Sequence, residues 1–491
     1  MKNRTNTSYP TETPPVHSSE TLGKTINRRS FVKIVTALGL GCATTLPLNK
    51  TFAGTSKSAL SKENPNIVFL FADQMRAHAL GCMGNEQVIT PHLDRLAEKG
   101  VLFSNAISAQ PVCTPYRAHL LTGRFGHTTG VIHNDIRLPD KELLLSEVLK
   151  KNGYSTGYIG KWHLAGHRNN PVDKTNRRGW DLWAVRNCSH DHSNPQYWLN
   201  DSKTPVRVDG WEPDIQTDLA VEYIQQNKNK PFALMVSYGP PHNPYKAPQK
   251  YVDLYKNKQL TERPNCPDSN PERLKQYYAM ITSLDDCVGR IVSALTKAGL
   301  MENTILCFTS DHGDMLGSQG HRLKQRPWEE SINVPFIMSY PAKIKPAKKD
   351  YLFSSVDVMP TLLGLSGCPV PENVQGANLD QLLTGETHTE QEELFLFNTH
   401  RGGGPGCDWR AIRTKKWVYA FHSFGDWMMY DLKNDPYQLN NLAGNPAYKK
   451  RRDELRRRLD LLRKKYEENL PLEGKMPMPI KLPDASEKKA D

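Results

Sequence analysis

A chain of 491 residues, 38% of them hydrophobic, can bury an extensive core, and its length suits roughly two to four domains. Lys and Arg number 64 against 52 Asp and Glu, a net charge of +12 that suits anionic substrates; no aromatic-interleaved basic motif speaks for nucleic acid. Nine cysteines are scattered without a C-x-x-C pair, which argues against a zinc site or a dense disulfide framework.

In chain order, Asn27-Arg28-Arg29-Ser30-Phe31-Val32-Lys33 comes first, before a short apolar stretch at residues 34–48. That stretch is too short to span a bilayer. The paired Arg, the Phe two places on and the Lys resemble a twin-arginine export signal. Thr51-Phe52-Ala53 has the small-residue character of a cleavage site. Residues 1–53 are therefore expected to be a signal segment read by the twin-arginine export machinery, with the mature chain periplasmic or secreted. Gly41-Cys42 lacks the Leu of a lipobox, since Gly39 stands in its place, and no other segment offers a transmembrane anchor.

Residues 66–72, 232–238, 304–309 and 334–339 are continuous apolar runs of strand length, suited to burial on both faces of a parallel sheet. Helical patterns lie between them, near 92–99, 141–151, 214–226 and 272–297. The alternation predicts an α/β domain with a mostly parallel central sheet flanked by helices. Ligands of such folds bind at the carboxyl ends of strands. Asp73 and Asp311 stand at two such ends.

After about residue 383 the pattern changes. Residues 394–398, 409–414, 417–422 and 427–432 are short and near-alternating, as in an antiparallel sheet. Asn445 and Pro446 then supply a cap and a first helical position for an amphipathic helix to about residue 469. The expected organisation is a catalytic domain over 64–383, a smaller α+β domain over 384–470 and an extended tail over 471–491.

The densest chemical signal is Cys113-Thr114-Pro115-Tyr116-Arg117, followed by Leu121-Thr122-Gly123-Arg124. It resembles the signature of the type I sulfatases, C-x-P-x-R and then L-T-G. The resemblance extends from about residue 64 to 442 and implies an alkaline phosphatase-like fold. It implies that a maturation enzyme oxidises Cys113 to formylglycine, whose hydrated aldehyde attacks sulfur. Pro115 is tolerated in a first turn, so the motif is expected to open a helix whose N-terminus favours the sulfate charge. Arg117, one turn on, would hold the hydrate.

The same resemblance implies one calcium ion, held by Asp73, Gln74, Asp311 and His312 with the modified Cys113. Gln74 stands where many relatives carry Asp, and His312 where some carry Asn. Carboxylate and amide oxygens suit a hard cation, while His312 leaves magnesium or manganese open. Lys161, in Gly160-Lys161-Trp162-His163, and Lys324, in Gly320-His321-Arg322-Leu323-Lys324, match sulfate-binding positions. His163 matches the residue that takes a proton from the hydrate's second hydroxyl, and His242 the acid that protonates the leaving alcohol. Asp311 is placed to accept the proton of the attacking hydroxyl.

Specificity is weakly marked. The segment from Asn187 to Trp198 carries His190, His192 and aromatic side chains of the kind that contact sugars. Arg76, His78, Asn134, His400, Arg401, Trp409 and Trp427 are further candidates. The expected substrate is a sulfated saccharide. The alternatives are a phosphomonoester or phosphonate hydrolase of the same superfamily, or an inactive carbohydrate-binding protein. The latter would lack several of these polar groups, yet all of them are present.

Overall fold

The computed structural model describes residues 25–39, 64–168, 170–267, 269–399 and 408–473. In chain order the large sheet contains β1 (Thr25–Asn27), β2 (Asn66–Asp73), β3 (Val101–Ile107), β4 (Ser155–Lys161), β5 (Leu182–Arg186), β6 (Gln196–Leu199), β7 (Val206–Asp209), β8 (Phe232–Pro241), β9 (Thr304–Ser310), β10 (Asn333–Ser339) and β11 (Ala347–Ser354). A second sheet holds β12 (Leu394–Asn398), β13 (Trp409–Arg413), β14 (Trp417–His422) and β15 (Gly425–Asp431), all antiparallel.

Every residue of β2 is buried, and its side chains alternate between two cores. Val68, Leu70 and Ala72 pack under the helices Glu212–Asn227 and Pro271–Lys297, against Leu219, Ile224, Leu284 and Ile291. Ile67, Phe69 and Phe71 point the other way, into the cluster of Leu121, Leu149 and Leu362. The long helix begins where Asn270 accepts a hydrogen bond from the Arg273 N–H and Pro271 takes the first position.

The strands lie in the order β1-β7-β6-β5-β4-β8-β2-β9-β10-β3-β11. The central strands β5, β4, β8, β2 and β9 are parallel. β10 is antiparallel to both β9 and β3, and β6 is antiparallel to β5 and β7, so the sheet is mixed around a parallel centre. The run at 334–339 reads in sequence like one more parallel strand. Burial on both faces removes the alternation and leaves strand direction unmarked.

The small sheet is sandwiched. One face packs on Leu455, Leu459 and Leu462 of the helix Lys449–Lys465, at a gain of about 1.5–3 kcal/mol per buried leucine. The other face meets Ile107, Met315, Ile332 and Leu352 of the large domain. Arg413 Nε and Glu329 Oε1 pair at 2.8 Å across that junction.

Residues 25–39, which lie within the expected signal segment, pack on the body. β1 adds to β7 in parallel, Phe31 stacks near Tyr197 at 5.2 Å between centroids, and Arg28 pairs with Asp218 and Asp214. No helix of the described residues is long and apolar enough to cross a membrane. Cys82, Cys113, Cys188, Cys266, Cys287, Cys307 and Cys368 are all free thiols.

Candidate active site

The polar centre forms where β2 and β9 end side by side. Asp73 closes β2, and the next residue, Gln74, turns into the left-handed region at φ 70°. Its N–H donates to Asp311 Oδ1 at 3.0 Å, and Asp311 N–H donates back to the Ala72 carbonyl at 3.2 Å. Two buried carboxylates are thereby fixed beside each other. Their outer oxygens meet cations: Lys161 Nζ lies 2.5 Å from Asp73 Oδ2, and Arg117 Nη2 lies 3.4 Å from Asp73 Oδ2 and 3.2 Å from Asp311 Oδ2. Their inner Oδ1 atoms face His312 Nε2 at 3.8 and 3.4 Å.

The electrostatics of the pair are asymmetric. Burial penalises the Asp73 charge, yet Lys161 and its neighbours hold this carboxyl well below the usual range. Burial and the adjacent Asp73 push Asp311 upward. A positive charge between the inner oxygens would relieve that repulsion. The donor atoms of Asp73, Cys113, Asp311 and His312 all lie within 4.8 Å of one another. His312 Nδ1 faces the Gly313 carbonyl at 3.0 Å, which fixes the proton there and leaves the Nε2 lone pair toward the carboxylates. Carboxylate oxygens and an imidazole nitrogen thus fit a divalent cation. Gln74 borders this group: its Nε2 donates to Asp314 Oδ2 at 2.8 Å, and its Oε1 accepts from Lys324 Nζ at 2.9 Å.

Cys113 is the first residue of the helix Cys113–Thr122, whose Thr114 N–H is capped by Asn134 Oδ1 at 3.0 Å. Its Sγ faces the polar centre. It lies 3.2 Å from His312 Nε2, 3.2 Å from Lys324 Nζ and 3.7 Å from Asp73 Oδ1. Burial and Asp73 oppose its ionisation, but Lys161, Lys324 and His312 prevail and hold the thiol well below its ordinary pKa. The site therefore stabilises negative charge at this atom. Arg117 donates to the Lys161 carbonyl at 2.6 Å and to Ser237 Oγ at 2.7 Å. Its Nη groups clamp the carboxylates and the floor of the site.

Lys161 ends β4. Gly160 before it has φ 107°, and a Cβ there would stand 2.0 Å from the Ser237 carbonyl, so only glycine lets β4 approach β8. His163 also adopts a left-handed backbone, at φ 55°, a conformation that costs about 1–3 kcal/mol and clusters at functional sites. Burial and Lys161 disfavour its imidazolium, but Cys188, Asp135 at 3.5 Å and Cys113 raise its pKa to about 9.

His242 follows β8. Its Nδ1 faces the Asn243 carbonyl at 2.7 Å, and its Nε2 stands 2.9 Å from Lys324 Nζ. Burial, reinforced by Lys324, holds its pKa well below the ordinary imidazole value. The His190 ring stacks on it at 3.9 Å and 3°.

The remaining candidates separate. His192 is buried: Nδ1 pairs with Glu212 Oε2 at 2.7 Å and Nε2 with the His242 carbonyl at 3.0 Å, so it braces the His242 loop. Trp409 is fully buried and donates to the Gln325 carbonyl at 3.1 Å, tying the small sheet to the Lys324 loop. Both were expected as possible saccharide contacts; polar and aromatic types at a loop serve a brace as well as a binding surface. Arg76 and His78 line a separate pocket with Arg263 and Tyr437. Trp427 packs against Trp328 at 5.3 Å. His400 and Arg401 lie outside the described residues.

Sequence reasoning did not single out Glu212, Arg186, Asp135, Asp314 or Cys188. Asp314 was legible in Asp311-His312-Gly313-Asp314 as a second acid beside the metal pair. Arg186 ends β5, Glu212 opens the helix Glu212–Asn227, Asp135 sits in a turn, and Cys188 lies in the 187–198 segment without having been read as a charged group. The Cys188 thiol is opposed by burial but favoured by Lys161, His163 and His190, and its pKa falls to about 4.

A mixed sheet sandwiched by helices, with paired carboxylates and Cys113 at a helix N-terminus on its carboxyl edge, is the architecture of the alkaline phosphatase-like superfamily. A family model described as Sulfatase matches residues 65–368, and one described as N-sulphoglucosamine sulphohydrolase, C-terminal, matches 317–465. An ulvan-active sulfatase of Formosa agariphila is 40% identical over 410 residues, covering 81% of this chain and 80% of that one. A Bacteroides fragilis protein whose solved structure is described as a candidate sulfatase matches at TM-score 0.77 and 33% identity, covering 83% and 97% of the two chains. A structure held with its substrate, D-glucosamine-2-N,6-O-disulfate, matches at TM-score 0.75 and 25% identity, covering 83% and 99%. The chain belongs to the sulfatase family and is a sulfuric ester hydrolase.

Proposed function

We propose that this enzyme hydrolyses sulfate esters of saccharides after export, with Cys113 matured to formylglycine and one divalent cation, calcium by preference, held by Asp73, Gln74, Asp311 and His312. The observation that carries the reading is the convergence on Cys113 Sγ of His312 Nε2, Lys324 Nζ and Asp73 Oδ1 at a helix N-terminus. Sulfate esters resist attack because the sulfonyl oxygens repel nucleophiles. Cations fixed around the attacked group before it arrives lower that barrier without reorganisation. A bound divalent cation adds Lewis-acid stabilisation of the same charge.

Lys161 and Lys324 bind the sulfate oxygens. Arg117 fixes the two carboxylates and adds positive charge beneath the nucleophile. Asp311, the carboxylate that burial pushes upward, accepts the proton of the attacking hydroxyl. His242 and Lys324 together hold a proton beside the leaving oxygen. His163, a stronger base than an ordinary imidazole, accepts a proton from the nucleophile's second hydroxyl after transfer once it has itself given up its proton. The saccharide substrate is supported by the relative that acts on ulvan and by the neighbour solved with a disulfated glucosamine. The Arg28-Arg29 motif supports twin-arginine export, and the Cys113 motif supports a maturation enzyme as partner.

The test is mass spectrometry of the Cys113 peptide after co-expression with a maturation enzyme, paired with turnover of sulfate, phosphate and phosphonate esters. An aldehyde mass with sulfate esters preferred supports the reading. An unmodified cysteine in fully active enzyme, or a preference for phosphonate esters, overturns it.

A further inference from the structure

We propose that the cleft beside His242 is a subsite for a second anion on the substrate, a carboxylate or a further sulfate on the sugar adjoining the one that loses its sulfate. The inference deepens the saccharide reading above and rests on it. The cleft measures about 460 Å³ and is lined by Arg168, Arg186, His190, Gln196, Trp198 and Arg207, among others. That size lies within the range of ligand sites.

Continuity with the catalytic centre comes through His190. It lines the cleft and stacks on the His242 ring, so the cleft opens on the side of the group that protonates the leaving oxygen. A saccharide with its sulfate at Cys113 has its leaving oxygen at His242, and the rest of the chain continues past His190.

The charge balance favours an anion. Arg186 is buried; its Nη2 faces Glu212 Oε1 at 2.7 Å, while its Nε has no hydrogen-bond partner. Arg207 is 3.7 Å from Asp191. Arg168 is exposed and forms no ion pair among the described residues. Three guanidinium groups thus meet two carboxylates. The Cys188 thiolate beside them is balanced by Lys161 and His163. The planar guanidinium fork matches both carboxylate and sulfate oxygens. Trp198 adds an indole face and a buried Nε1–H without a hydrogen-bond partner, suited to a ring and its hydroxyl.

The experiment compares kcat/KM of the matured enzyme on four substrates. These are a sulfated oligosaccharide with a neighbouring carboxylate, the same compound with that carboxyl reduced to an alcohol, a neutral oligosaccharide with a second, neighbouring sulfate, and a small aryl sulfate. Removing the neighbouring anion should lower kcat/KM by about 10-fold or more. Arg168→Ala should abolish that difference by raising KM, leave the aryl sulfate within about 2-fold, and be partly rescued by Arg168→Lys. The first and third substrates tell a carboxylate from a sulfate as the preferred partner. Saccharide turnover indifferent to the neighbouring anion, or a preference that survives in both Arg168→Ala and Arg207→Ala, overturns the subsite alone. Turnover of the aryl sulfate with none of any sulfated saccharide overturns the saccharide reading as well.

Discussion

Lys324 Nζ stands 2.9 Å from His242 Nε2, on the opposite side of the ring from the Asn243 carbonyl that holds Nδ1. The imidazole is thus neutral at rest and accepts from the lysine. In the proposed mechanism the proton beside the leaving oxygen belongs to this pair, which links the Lys324 loop to the loop after β8. Trp409 reinforces this link by holding the residue after Lys324.

From that pairing, His242→Ala should slow esters with poor leaving groups by about 100-fold or more, while activated aryl sulfates lose far less, because proton transfer matters little to a good leaving group. A series of aryl sulfates of graded leaving-group pKa measures the effect. A uniform loss across the series would contradict a protonating role.

His190 and His192 should behave differently although they are two residues apart. His190→Ala is expected to lower kcat/KM on a sulfated saccharide by about 10-fold and to spare small aryl sulfates. His192→Ala removes the partner of Glu212 and of the His242 carbonyl, so both substrates should suffer and thermal stability should fall by about 1–3 kcal/mol. Parallel kinetics and melting curves on the two variants separate these outcomes.

Chelation should abolish turnover and lower Tm, since an ion bound only to the native state stabilises it by about 2.7 kcal/mol at 100 times its Kd. Asp73→Asn should weaken that Tm response to added calcium, magnesium or manganese. A chelated protein of unchanged Tm and full activity would exclude the ion.

The Glu212 carboxyl is penalised by burial, yet Arg186 and His192 hold it below the usual carboxylate range. A depressed carboxylate contributes stability above its unfolded pKa and loses it as pH falls through the folded value. The stability gap between wild type and Glu212→Gln should therefore be full near neutrality and shrink below about pH 4.5. Denaturant melts at several pH values would show it; a gap that widens in acid would reverse the assignment.

The strands β12 and β14 were legible as short apolar runs, and the helix Pro271–Lys297 by its apolar spacing and its Asn270–Pro271 start. β3 and β11 were not. Their sequences, VLFSNAI and AKKDYLFS, mix polar residues into strands at the far edge of the sheet. The sulfatase family was readable because Cys113, Pro115, Arg117 and Leu121-Thr122-Gly123 stand close together in sequence. The Glu212 brace was not, since it joins Arg186, His192 and the His242 loop, which lie apart in sequence. Such a contact exists only once β5, β8 and the helix after β7 are assembled.

The docking of residues 25–39 sets up a competition. Arg28, half of the pair that a twin-arginine receptor would read, is engaged by Asp218 and Asp214, and the buried Phe31 leans on Tyr197. A receptor that takes the arginine pair must peel β1 from β7 and bare an aromatic side chain. Under the proposed export route its apparent affinity reports the fraction of molecules whose β1 and following helix are undocked, and substitutions of Asp218 would change that affinity.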